Sequence, residues 1–184
     1  MTRFWPAVLN SLSILILFSV NNATALGKEF LTPKEIEGIQ DTHDIVVRVK
    51  IYMDAAMLRL RSAEERMVGK ETEPGDPLEF FTPEDMLDGY YRILKSTMMN
   101  IDDAAQNPRT DRSSLGRALK NLKSSTEKAA EQLQILKKIA EEKKKEEFWN
   151  LVNSAIEITE GAHDGAQSGL SKNPAPPEKE RKKK

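Results

Sequence analysis

Between Leu115 and Ala140 the chain places Leu115, Leu119, Leu122, Thr126, Ala129, Leu133, Leu136 and Ala140 at gaps that alternate strictly between four and three residues. Only an α-helix brings residues so spaced onto one line, because 3.6 residues make a turn. The alternation is that of a helix-bundle or coiled-coil seam. A seam of this length cannot bury itself, so the rest of the chain has to supply further helices.

The rest reads that way. FLTPKEI predicts a helix start with Thr32 as cap, Pro33 at the first position, Glu35 closing a capping box, and Leu31 and Ile36 as a hydrophobic staple. Ile36, Ile39, Val46, Val49, Met53, Met57, Leu60, Ala63 and Met67 then follow at helical gaps, apart from one long gap that spans His43. We read one helix from Pro33 to about Val68, about 54 Å long, stopped by Gly69. Gly69 to Thr82 is a loop, since two prolines and two glycines interrupt it. It ends in Leu78, Phe80 and Phe81, which are expected to fold back over the bundle end. FFTPEDM repeats the capping device with Thr82, Pro83 and Asp85 and opens a second helix, Pro83 to about Gln106. Asn107–Pro108 breaks the chain before the seam helix begins near Asp111 to Ser113.

Two turns without an apolar residue follow that seam, in EEKKKEE at 141–147. The stripe resumes at Phe148, Val152, Ala155, Thr159 and Ala162, one position out of phase. Propensity favours a continuous helix, but one running from Ser113 to Gln167 would be about 82 Å long and would leave Phe148 and Trp149 without partners. A turn at 141–147 is therefore predicted, giving an all-α, antiparallel up-down-up-down bundle of four helices. The alternative is three helices with a very long last one that dimerises through its protruding end.

The ends differ from this body. Residues 1–25 carry Arg3, an apolar run densest from Leu12 to Val20, and Ala23 and Ala25 in the small-x-small pattern. That describes a signal peptide cleaved after Ala25, with an uncleaved anchor as the alternative. The apolar run is too short for a comfortable membrane span. The chain has no cysteine, which excludes disulfides, thiolate chemistry and Cys-ligated metals. A periplasmic or secreted bacterial protein is the expectation. Without residues 1–25 there are 27 basic and 29 acidic residues, and residues 172–184 hold six of the basic and two of the acidic ones. The bundle domain, 26–171, is left with 21 against 27, a net −6, which argues against nucleic-acid binding. Residues 172–184, ending in Lys182, Lys183 and Lys184, read as a disordered basic tail suited to an anionic envelope surface.

No catalytic motif appears, and a non-enzyme without cofactor is expected. Adjacent carboxylates such as Glu64–Glu65 and Asp102–Asp103 point apart on a helix. The remaining candidate is TEGAHDGAQ, 159–167, in which Glu160 and His163 share a helix face. Ferritin-like di-iron bundles use Glu-x-x-His twice, but the second histidine here reads Gln40-x-x-His43. A mononuclear site joining His43, His163 and Glu160 would require the start of the first helix to meet the end of the last. A haem held between a first-helix methionine and His163 would be similar in architecture to bundles of the cytochrome b562 type, with no shared motif. The simpler expectation is a helix end loosened by Gly161 and Gly165. For a macromolecular partner, or for self-association, the candidates are Phe80, Phe81 and Trp149, large aromatics of the kind that anchor interfaces.

Overall fold

The structure, a computed structural model, describes residues 29–172. The expected signal peptide and the basic residues beyond Lys172 lie outside this range. The described chain is all-helical: α1 Pro33–Gln40, α2 Ile45–Met67, α3 Pro83–Gln106, α4 Arg112–Glu142 and α5 Glu146–Lys172.

The helix starts follow from local chemistry. Thr32 and Glu35 close a capping box on α1, and Thr82 and Asp85 close one on α3, each with proline in the first turn. Asp111 caps α4 by accepting from the Ser113 and Ser114 amides at 3.3 and 2.9 Å. These amide bonds hold its carboxyl below the usual aspartate range. α2 ends as expected before Gly69, whose φ of +86° suits glycine.

Three expectations need correction. The first predicted helix is two helices. The gap between Ile39 and Val46 is a break at Asp41–Asp44, where the Asp44 carboxylate accepts from the Val46 amide at 2.8 Å and starts α2 afresh. Thr42 supports the break by accepting from the Asp44 amide. The stripe of α2 also starts one residue earlier, on Ile45, and uses Tyr52 and Arg59, while Val46 and Met57 are only half-buried. Third, α5 does not fray at TEGAHDGAQ. It continues to Lys172, because Leu170 packs on the core and Gly169 lies against Leu119.

The segment 141–147 does turn. α4 ends at Glu142, and Lys144 takes φ +54°, a left-handed cap that lets Lys145 N donate to Ala140 O at 3.0 Å. α5 then packs back on α4, burying Phe148, Val152, Ala155, Thr159 and Ala162, the stripe read from the sequence.

α2 lies against α3 and α4, and α5 lies against the same two helices, while α3 and α4 touch little. No Cα of α2 comes within 8 Å of one in α5. The short 107–111 link therefore crosses a diagonal of the bundle. α1 contacts only α2. Specific bonds set the levels: Arg48 to Asn100, Gln132 to Glu64, and Tyr90 to Thr159. The Tyr90 hydroxyl meets Thr159 Oγ1 at 2.6 Å in the core, and burial pushes the phenol's pKa well above the ordinary range. No helix among the described residues is long and apolar enough to cross a membrane.

Candidate functional site

The most distinctive exposed side chain lies on the loop between α2 and α3. Leu78 is buried and Phe81 half-buried against the core, as the sequence suggested. Phe80 is not folded back: it is 81% exposed. The loop gives its three apolar residues different fates because short turns wind through it. Glu79 N donates to Asp76 O at 2.9 Å, Phe81 N to Leu78 O at 3.0 Å, and Leu78 N to Asp76 Oδ1 at 2.7 Å. Gly75, at φ +86°, donates to Glu79 Oε2 at 2.9 Å. Arg66 ties the whole loop to α2 through Thr72 Oγ1, at 3.0 and 3.1 Å, and through the Leu78 carbonyl. Phe80 is thus presented by a built loop over the end of α2, where Val68 is also 60% exposed.

Trp149 sits beside the α4–α5 turn and is half-buried. Its indole N–H donates to Glu141 Oε1 at 3.1 Å, and Lys137 Nζ lies 5.1 Å from the ring centre. Both contacts cross from α5 to α4, so this tryptophan secures the turn. Lys182, Lys183 and Lys184 lie outside the described residues.

The two histidines are not brought together. His43 is exposed at the α1–α2 break and lines a polar hollow of about 440 Å³ with Arg48, Asn100, Asp103, Arg109 and Asp111. Many of the polar groups around it already serve the fold. Arg48 donates to Thr42 O at 2.8 Å and Asn100 Oδ1 at 3.3 Å, and Asp44 and Asp111 cap helices. His163 belongs to a groove between α4 and α5, with Glu127, Glu131, Glu160 and Asp164 along its walls. Its Nε2 is 3.6 Å from Glu127 and its Nδ1 3.4 Å from Asp164. Glu127 is held below the ordinary glutamate range chiefly by Lys123, at 2.5 Å, and secondarily by His163. His43 lies beside Asp111 at the start of α4, whereas His163 faces Glu127, about 24 Å further along that helix, so the two cannot share an ion. Among the described residues, no group of three or more histidines or carboxylates converges as metal ligands would.

Sequence reasoning passed over three arginines on α2. Arg48, Arg59 and Arg66 recur after 11 and 7 residues, about three and two turns, so they share one flank. Arg48 holds the α1–α2 break, and Arg66 holds the loop. Arg59, 2% exposed, donates to both Glu35 carboxylate oxygens, at 2.5 and 2.7 Å, and to Phe30 O at 3.0 Å. Gly89 on α3 faces it, and a Cβ there would stand at an ordinary contact distance, 3.5 Å, from Arg59 Cγ. The available signal was a cation lodged between Ala56 and Leu60, inside an apolar stripe.

No family model matches the chain, and neither a curated protein nor a solved structure is detectably similar to it.

Proposed function

We propose that this chain is an exported, non-catalytic protein of the bacterial envelope, periplasmic or secreted, that acts by binding another macromolecule. In this reading the signal peptide is removed after Ala25. The four long helices run up-down-up-down as a rigid scaffold, and the basic segment 172–184 adds an electrostatic tether to an anionic envelope surface. The supporting observation is Phe80, a large aromatic 81% exposed on a loop that Arg66, Asp76 and Glu79 hold in shape. A phenylalanine this exposed forfeits most of the about 1.5–3 kcal/mol that full burial would give. On a preorganised loop, that free energy is available to a partner without an ordering cost.

The test is a photo-crosslinking amino acid placed at position 80 in an exporting host, with position 128, on the exposed side of α4, as control. A single crosslinked envelope macromolecule from position 80 and none from position 128 is the expected result. Equal or absent crosslinking at both positions refutes the loop as the binding element. Mass spectrometry of the same exported chain checks cleavage after Ala25. Retention on anionic vesicles that is weakened by salt and lost on deletion of 172–184 checks the tether.

A further inference from the structure

Resting on the reading that the Phe80 loop is the binding element, we infer that its partner is a cationic polypeptide surface with an apolar recess. From Gly69 to Asp85 the chain carries Glu71, Glu73, Asp76, Glu79, Glu84 and Asp85 against a single cation, Lys70, for a net charge of −5. Lys70 is itself paired to Glu65 at 2.7 Å. Beneath the loop, Arg66 is engaged by Thr72 and Leu78. Glu65, Glu71, Glu73 and Asp76 line a recess of about 180 Å³ together with Arg66 and Lys70, four acids against two cations. An exposed aromatic on a loop of net negative charge has the ingredients of an interface with an apolar anchor and a rim that selects by charge. The same charges oppose docking on an anionic lipid surface, which is the opposite of what the basic segment 172–184 offers. The loop and that segment therefore serve different surfaces: the loop caps the C-terminal end of α2, and α5, which precedes the basic segment in the chain, ends away from it. Gln132 joins the late part of α4 to the late part of α2, and α5 runs back along α4 from there, so its C-terminus lies at the other end of the molecule.

The experiment titrates the exported chain with a synthetic amphipathic leucine–lysine peptide, its leucine–glutamate counterpart and phosphatidylcholine vesicles, following backbone amide shifts. The expected result is binding of the leucine–lysine peptide with shifts concentrated in residues 70–85. Phe80→Ala and Glu71→Lys/Glu73→Lys should each weaken it about tenfold or more, and added salt should weaken the parent but spare the charge-reversed variant. Unchanged shifts outside 70–85 show that each variant is folded. If the glutamate peptide or the vesicles bind the loop as well, and Phe80→Ala abolishes that binding, the cationic class is wrong and the loop's binding role stands. If the lysine peptide binds elsewhere and ignores Phe80→Ala, the cationic proposal is overturned. If no probe shifts residues 70–85, both the partner class and the loop-based function fall.

Discussion

Glu35→Ala should destabilise the protein by about 3 kcal/mol, because it strands the buried guanidinium of Arg59. That guanidinium is 2% exposed and has four acceptors: two oxygens of Glu35, at 2.5 and 2.7 Å, the Phe30 carbonyl at 3.0 Å and the Ala55 carbonyl at 3.3 Å. Deleting the carboxylate leaves a buried cation facing two neutral carbonyls. Breaking a buried pair from one side costs about 3–5 kcal/mol. Glu35 itself is 16% exposed, so water can partly replace it and the lower end applies. The same substitution removes the bond from Thr32 N to Glu35 Oε2, 2.7 Å, and with it half of the α1 capping box, about 1 kcal/mol. Undocking of α1, which touches only α2, would hydrate Arg59 and limit the total to about 3 kcal/mol. Urea unfolding measures this directly, and the thermal midpoint should fall by roughly 6–12 °C. Amide exchange in α1 should accelerate before that in α4. Glu35→Ala/Arg59→Met should recover at least about 1 kcal/mol relative to Glu35→Ala, because the stranded charge is gone. A single variant within about 0.5 kcal/mol of the parent, or a double variant at the sum of the singles, would refute the argument. The pH dependence has a definite sign. Burial raises the Glu35 pKa, but the bonds from Arg59 and the Thr32 amide outweigh it and leave the group below its ordinary value. The contribution is therefore complete above the ordinary glutamate pKa of about 4.3 and is lost as pH falls through and below it.

Other variants test separate parts of the fold. A Cβ at Gly165 would have nothing within 4 Å, so Gly165→Ala should gain about 0.5–1 kcal/mol of helix propensity in thermal unfolding. At Gly169 the Cβ would stand 3.0 Å from Leu119 Cδ1 and 3.1 Å from Cδ2, so Gly169→Ala should forfeit that gain. Lys144→Gly should stabilise the α4–α5 turn by about 0.5–1 kcal/mol, by relieving a positive φ, and Lys144→Val should cost stability in the same denaturant assay. Tyr90→Phe should cost about 1 kcal/mol by calorimetry and not more, because Thr159 Oγ1 keeps its 2.6 Å bond to Ala155 O.

The seam of α4 was legible because a period of 3.6 leaves a mark in spacing alone, and all eight of its sequence-read positions are buried. The out-of-phase restart at Phe148 was equally legible, and so was the turn it required. The break at Asp41–Asp44 had a local signal, an Asp cap, but apolar spacing on both sides masked it. For Phe80 no local signal existed. Leu78, Phe80 and Phe81 are alike in the sequence, and the contacts that hold the loop include a non-local one, from Arg66 to the Leu78 carbonyl twelve residues on. The candidate pair His43 and His163 failed because the two lie at different levels of the bundle, one by the start of α4 and the other at Glu127, and helix spacing alone does not set those levels.

By itself, the sequence determined that this chain is a set of amphipathic helices, where most of them start, and which line of residues each one buries. Capping boxes, proline positions and the helical period act within about four residues, so they need no partner to be read. Tertiary structure alone decided that α2 and α5 lie apart, that Arg59 is buried on Glu35, and that Phe80 stands out from the loop. Those outcomes depend on which faces meet across tens of residues, where burial is non-directional and many pairings satisfy the same stripes.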